Sequence, residues 1–256
     1  MTSVASPVNA RARVRRRARP AGRRDYGRAL KALSRLLADK EDTAQVFEIM
    51  RALNGGAGRQ NYLRLLSTPE GGRLAYEHVE LADLLMNRGW LASLPAGSVG
   101  AAYAAFTSAE QISAEGLIAE SRKGVADGEV ERAHPYAWFG RRIRDVHDVW
   151  HVLTGYGRDS LGEVCLVAFS YHQTRGLGWA LIGLGGYLRT GGRDGAPYRA
   201  AIREAWRRGK AAAWLPGEDY ERLLAEPLEA ARRRLGITPA VAYEAVPGEA
   251  RNPPPA

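Results

Sequence analysis

Cysteine is nearly absent from the 256-residue sequence: Cys165 is the only one. This excludes an intrachain disulfide and fits a reducing compartment. Cys165 lies in the run Val164-Cys165-Leu166-Val167, so a buried packing role is expected. No apolar run suits a secretory signal or a membrane span. The longest uncharged stretch, Gly89–Ala109, is long enough to cross a bilayer, but Pro95, three glycines and four Ser/Thr residues interrupt it. Gly176–Leu188 is too short. Period-two alternation is also missing, which argues against strands, and no internal repeat is evident.

Acids are scarce at the N-terminus. Residues 1–28 hold nine arginines against one acid, Asp25, so nearly all of the net charge of +9 sits there and the other residues carry +1. The body is close to neutral, which argues against nucleic acid as a partner. The arginine-rich segment 1–23 reads as a disordered tail. It is suited to anionic membrane or to an organellar transit role.

What remains is apolar residues at helical spacing. Leu30, Leu33, Leu36 and Leu37 mark one helix. Asp42-Thr43 opens a second, which stops at Asn54-Gly55-Gly56. Thr68-Pro69-Glu70 reads as an N-cap with proline in the first turn. Further helices are expected from Leu81 toward Gly89, over Ala101–Phe106, from Ser113, over Pro135–Leu153 as one long helix, and over Ser160–Thr174. A Gly-rich segment 176–188 follows, then a surface helix over Tyr198–Lys210 and short helices at Glu218–Leu224 and Pro227–Leu235. The class is all-α, with one compact helical domain over 24–238 and disordered tails over 1–23 and 239–256.

The chain has five histidines, and two of them fall in His147-Asp148-Val149-Trp150-His151, with Glu163 beyond eleven intervening residues. On a helix His147 and His151 stand one turn apart on one face, with Asp148 nearby. The break at Gly155–Asp159 lets the next helix run back and bring Glu163 to the same point. Such a set suits a divalent metal, with Asp148 either a ligand or an orienting neighbour. Against it, Ser160-Leu161-Gly162-Glu163 also reads as a capping box, in which Glu163 would serve the helix end. The pattern is not that of zinc proteases, which place glutamate directly after the first histidine. Trp150, Val152, Leu153, Val164, Leu166, Val167, Phe169, Trp179, Leu181, Ile182 and Leu184 make an apolar wall around this cluster. The wall reads either as ordinary core or as a groove for an amphiphile with an apolar tail and a polar head.

His147, Asp148, His151 and Glu163 match the signature of the coenzyme Q biosynthesis protein 4 family, His-Asp-x-x-His followed by Glu after eleven residues. The likeness extends to Trp150–Gly157, Gly162-Glu163, Ala168–Tyr171, the loop Leu94-Pro95-x-Gly97-Ser98-x-Gly100-x-x-Tyr103, Ala205–Lys210 and Leu228–Ile237. It covers about residues 40–238 and leaves out both ends. The resemblance implies a helical homodimer at a membrane surface that acts on prenylated benzenoid lipids beside other ubiquinone-biosynthesis proteins. It further implies oxidative decarboxylation at ring carbon one. His147, Asp148, His151 and Glu163 would be the catalytic and metal residues, with zinc the first candidate and iron or another divalent ion the alternatives. A non-catalytic lipid-binding scaffold for the biosynthetic complex is the competing implication. Location would be cytoplasmic against the inner membrane in a bacterium, or on the mitochondrial matrix side in a eukaryote.

Overall fold

The computed structural model describes residues 24–39, 42–109, 135–189 and 195–252. Among them the regular structure is helical, and one isolated bridge joins Ser98 to Pro227. The expected N-terminal tail and the helix from Ser113 lie outside the described residues.

Among the described residues, seven helices lie between residues 24 and 109: α1 (Tyr26–Ala38), α2 (Thr43–Leu53), α3 (Ala57–Leu66), α4 (Pro69–Glu77), α5 (Leu81–Met86), α6 (Arg88–Ser93) and α7 (Val99–Ala109). Local chemistry sets their starts. Asp25 caps α1 by accepting from Arg28 N, and Thr68 Oγ1 caps α4 by accepting from Gly71 N at 3.1 Å with Pro69 in the first turn.

The remaining helices are α8 (Pro135–Asp145), α9 (His147–Thr154), α10 (Ser160–Thr174), α11 (Leu177–Arg189), α12 (Ala196–Ala211), α13 (Tyr220–Ala225), α14 (Leu228–Arg234) and α15 (Val241–Glu244). At the centre is α10. It buries Leu161, Cys165, Leu166 and Phe169 and packs most extensively against α12, with α11 on another side. The main core joins α10 to Val149, Trp150 and Leu153 of α9, Tyr103 of α7 and Leu223 and Leu224 of α13. Each fully buried aliphatic side chain of this kind contributes about 1.5–3 kcal/mol. Trp150 meets its polar need by donating Nε1–H to Tyr220 Oη at 2.6 Å. A second core under α1, α2 and α11 includes Ala29, Ile49 and Ile182.

Three expectations need correction, and one segment left without an element proves helical. The long helix 135–153 is broken at Val146 (φ −85°, ψ 1°), so α8 and α9 are separate segments. The Gly-rich segment 176–188 is helical from Leu177 onward, and its glycines face close neighbours. A Cβ on Gly186 would lie 2.6 Å from Val164 Cγ1, and one on Gly178 2.6 Å from Met50 Sδ. Propensity alone disfavours this helix, and packing overrides it. The supposed surface helix α12 instead buries Ala201, Ile202, Ala205, Arg208 and Gly209, since its small residues let it press on α10. Nor is the stretch from 239 a disordered tail as far as Asn252. Ala240, Tyr243 and Val246 join the main core, and a 3₁₀ turn covers Gly248–Arg251. Its prolines, at 239, 247 and 253–255, masked three apolar anchors spaced three apart.

Candidate metal centre

The turn after Thr154 is what folds the signature back on itself. Gly155 ends α9 with φ +78°, a left-handed conformation that glycine adopts without a side-chain penalty. The chain then passes through Tyr156–Arg158, and Asp159 starts α10 by accepting from Gly162 N through Oδ1 at 2.8 Å. The helix is thus capped by Asp159, and Glu163 is free of the capping role that Ser160-to-Glu163 spacing suggests. Close approach is enforced at Gly162, where an added Cβ would sit 2.1 Å from the Gly157 carbonyl oxygen.

Glu163 turns toward both imidazoles. Its Oε2 lies 3.6 Å from His147 Nε2 and 3.5 Å from His151 Nε2. One ligand atom from each of the three residues lies within 4.8 Å of the others. The rings of His147 and His151 meet edge to face at 4.9 Å. Trp179 of α11 stacks on His147 at 6.4 Å, and Phe106 of α7 stacks on His151 at 5.5 Å. Asp148 is buried beside His147 but falls outside the three-residue group.

Hydrogen bonding decides what the buried ring of His151 presents. Its Nδ1 lies 3.0 Å from the Tyr156 carbonyl oxygen, which can only accept, so Nδ1 carries the hydrogen. In the neutral ring Nε2 then holds a lone pair, and that atom is buried without a hydrogen-bond partner. It faces an anionic carboxylate oxygen at 3.5 Å. Two electron-rich groups in that position call for a cation, either a proton or a metal ion. An imidazole fixed through its far nitrogen to a carbonyl is also how metal-binding histidines are oriented. The donor set therefore fits a divalent metal, with two neutral nitrogens and one carboxylate.

Charge is tuned to match. Burial works against a proton on His147, but the hydrogen bond and charge of Glu163, aided by Asp148, outweigh it and hold His147 above the usual imidazole value. Burial likewise opposes charge on Glu163, yet the two imidazoles that face it, His147 and His151, hold it far below the carboxylate range. Arg158 Nε adds a positive charge 3.6 Å from Glu163 Oε1. A cleft beside this point is lined by Gly155, Arg158, Asp159, Tyr243, Arg251 and Asn252, among others.

The backbone of α9 is held from behind by guanidinium groups. Arg232 donates to the carbonyls of Val152 and Leu153, at 2.9 and 3.0 Å, and Arg208 donates to that of Thr154 at 2.8 Å. These satisfy the open carbonyls at the helix end. None of these holders is visible in the signature. Asp159 alone had a local sequence signal, as an acid before a helical run.

The other histidines stand apart. His172 lies two and a half turns beyond Glu163, hence on the opposite face of α10, and packs against Trp206 at 4.5 Å. His78 takes the left-handed position ending α4 and packs on Trp138 at 5.1 Å. His134 lies outside the described residues. Of the apolar wall, Trp150, Leu153, Leu166 and Phe169 are core, whereas Leu184 is exposed.

Comparison with known proteins agrees with this frame. A crystal structure from Nostoc punctiforme PCC 73102, described as a proposed ubiquinone biosynthesis protein, shares the fold with a TM-score of 0.59 at 22% identity, covering 84% of this chain and 99% of that one. The mitochondrial ubiquinone biosynthesis protein COQ4 homologue of Homo sapiens is 31% identical over 175 residues, 66% of this chain and 62% of that protein. The corresponding protein of Rattus norvegicus is 31% identical over 173 residues, 67% of this chain and 62% of that protein. The chain thus matches less than two thirds of the length of these two mitochondrial relatives. No described helix is long and apolar enough to cross a membrane. The model of the coenzyme Q (ubiquinone) biosynthesis protein Coq4 family matches residues 59–241, and the chain belongs to that family.

Proposed function

We propose that this chain serves ubiquinone biosynthesis as a metal-dependent enzyme that exchanges the ring carboxyl of a prenylated hydroxybenzoate for a hydroxyl. His147, His151 and Glu163 would hold the cation, with Asp148 supporting His147 by its charge. The observation carrying this reading is the buried, unpartnered His151 Nε2 facing Glu163. The exchange releases carbon dioxide and is a two-electron oxidation, so it requires water or dioxygen as the source of the hydroxyl oxygen and an acceptor such as dioxygen for the two electrons. A divalent ion would act as a Lewis acid toward the ring carboxylate or a neighbouring phenolate. The chain's own residues do the remaining work. The Tyr156 carbonyl fixes the His151 ring, and Arg158, exposed at the cleft, offers a positive charge to an anionic head group. Trp179 and Phe106 screen the two imidazoles from water. His and carboxylate donors do not choose the metal, and zinc is the first candidate before iron.

The partners under this reading are the prenylated lipid, other ubiquinone-biosynthesis proteins, an anionic membrane surface and a second copy of the chain. A peripheral position at the inner membrane, mitochondrial or bacterial, follows. One observation favours a scaffold instead: Leu184 and Leu188 are exposed on α11, the helix whose Trp179 reaches His147. In that case α11 would present a lipid to partner enzymes without chemistry at the cluster.

Elemental analysis of protein purified without added metal separates the two. The enzyme reading expects about one divalent ion per chain, lost in a folded His147→Ala/His151→Ala variant. It also expects carbon dioxide release from a prenylated hydroxybenzoate that Glu163→Gln abolishes. Absence of metal after reconstitution would leave the scaffold reading.

A further inference from the structure

We infer that Tyr243 is a positioning residue of the metal centre, its hydroxyl tying the turn that orients His151 to the cap of the helix that carries Glu163. This rests on the reading of His147, His151 and Glu163 as cation ligands. Tyr243 lies just beyond the residues that match the family model, 59–241. It belongs to the segment that composition alone marks as tail.

The Tyr243 hydroxyl accepts from Gly157 N at 3.0 Å and donates to Asp159 Oδ2. On one side, Gly157 directly follows Tyr156, whose carbonyl fixes the His151 tautomer. On the other, Asp159 caps α10 through its second oxygen, on Gly162 N at 2.8 Å, one residue before Glu163. A single oxygen therefore reaches both structural supports of the ligand set, each through one residue. Space at this point is tight, since a Cβ on Gly157 would lie 2.9 Å from the Tyr243 oxygen.

Tyr243 is itself anchored. Its ring is buried, meets Tyr156 edge to face at 5.3 Å, and carries the Arg251 guanidinium 4.2 Å from its centre. Arg251 Nε donates to the Val246 carbonyl at 2.8 Å. Asn252 Oδ1 accepts from Ser160 N at 2.8 Å, so the same segment grips the turn a second time. Burial, and then the bond to Asp159, push the Tyr243 hydroxyl up to about 12, so it stays a donor at neutral pH. Phenylalanine would keep the ring contacts and remove both hydrogen bonds.

The test compares wild type, Tyr243→Phe, Asp159→Asn and Thr68→Ala, the last removing a cap in distant α4 as a control for general stability loss. Solvent exchange of the His151 Nδ1–H is followed by NMR in metal-free protein, and Co²⁺ affinity by competition titration. In Tyr243→Phe the exchange should rise roughly three- to tenfold, the scale of one net hydrogen bond. The Co²⁺ Kd should rise roughly 10–100-fold, with an altered visible spectrum. Asp159→Asn should shift both in the same direction, and Thr68→Ala neither. The inference is overturned if Tyr243→Phe exchanges and binds like wild type, or if Thr68→Ala moves both readouts as far. A wild type that takes up no Co²⁺ would sink the cation reading alone, and the exchange rate would still decide the role of Tyr243.

Discussion

Replacing Gly162 with alanine should damage both the fold and the cation site, by an amount the backbone geometry sets. The added Cβ would lie 2.1 Å from the Gly157 oxygen and 2.8 Å from its carbonyl carbon, short of ordinary contact at 3.4 Å by about 1.3 Å. Both obstacles are main chain, so no side chain can swing away. Either α10 or the turn must shift, and the turn is held by Tyr243 and Asn252. Overpacking of this kind costs about 2–3 kcal/mol, a fall in Tm of about 4–12 °C for a chain of this size. The shift occurs one residue from Glu163, so Zn²⁺ affinity should fall roughly 10–100-fold. Gly72→Ala is the matched comparison, because nothing lies within 4 Å of its added Cβ. That change should stabilise by roughly 0.5–1 kcal/mol, as alanine is the better helix former. Urea unfolding followed by circular dichroism, with competition titration for Zn²⁺, reads both effects. A Gly162→Ala protein matching wild type in unfolding midpoint and in Zn²⁺ affinity would refute the backbone contact and the coupling drawn from it.

Arg232→Met removes the donors to the Val152 and Leu153 carbonyls; it should cost about 1–2 kcal/mol in urea unfolding, and a change within error would mean water caps α9 equally well. Zinc at one hundred times its Kd should stabilise wild type by about 2.7 kcal/mol, a rise in Tm of about 5–11 °C, and the rise should vanish in His147→Ala/His151→Ala. In metal-free protein, His147 is raised, so its contribution is full below the ordinary 6.5 and is lost as pH rises through the folded value. Glu163 is lowered, so its contribution is full above 4.5 and is lost as pH falls through the folded value. Unfolding free energy should therefore be highest between those limits, and Glu163→Gln should flatten the profile.

The three-residue cluster was legible because it is local. Two histidines one helical turn apart and a glutamate after a glycine break define a meeting point from chain geometry alone. Asp159 was within reach too, as an acid before a helical run, although Ser160 to Glu163 offered a competing cap. The helical class followed equally from apolar spacing. The supports were hidden for a physical reason. The Tyr156 carbonyl has no side-chain signature, and Arg208, Arg232 and Tyr243 reach the site only through tertiary packing. Small residues misled in two places. The glycines of α11 left its segment without an element, and the alanines of α12 look like a surface helix. In both, missing side-chain bulk is what allows a helix to lie close to α10.

The guanidinium and hydroxyl contacts on α9 and on the turn have a temporal consequence. During synthesis the ligands have all been made once Glu163 is added, but Arg208, Arg232, Tyr243 and Asn252 come later. At about 5–20 residues per second, the stretch from Glu163 to Asn252 takes roughly 4 to 18 s to make. Through that interval the nascent chain displays two histidines and an acid without the full set of contacts that holds α9 and the turn. A cation met then would be gripped loosely and exchanged readily. Under the cation reading, selection among metals would therefore belong to the finished protein rather than to the ribosome-bound chain.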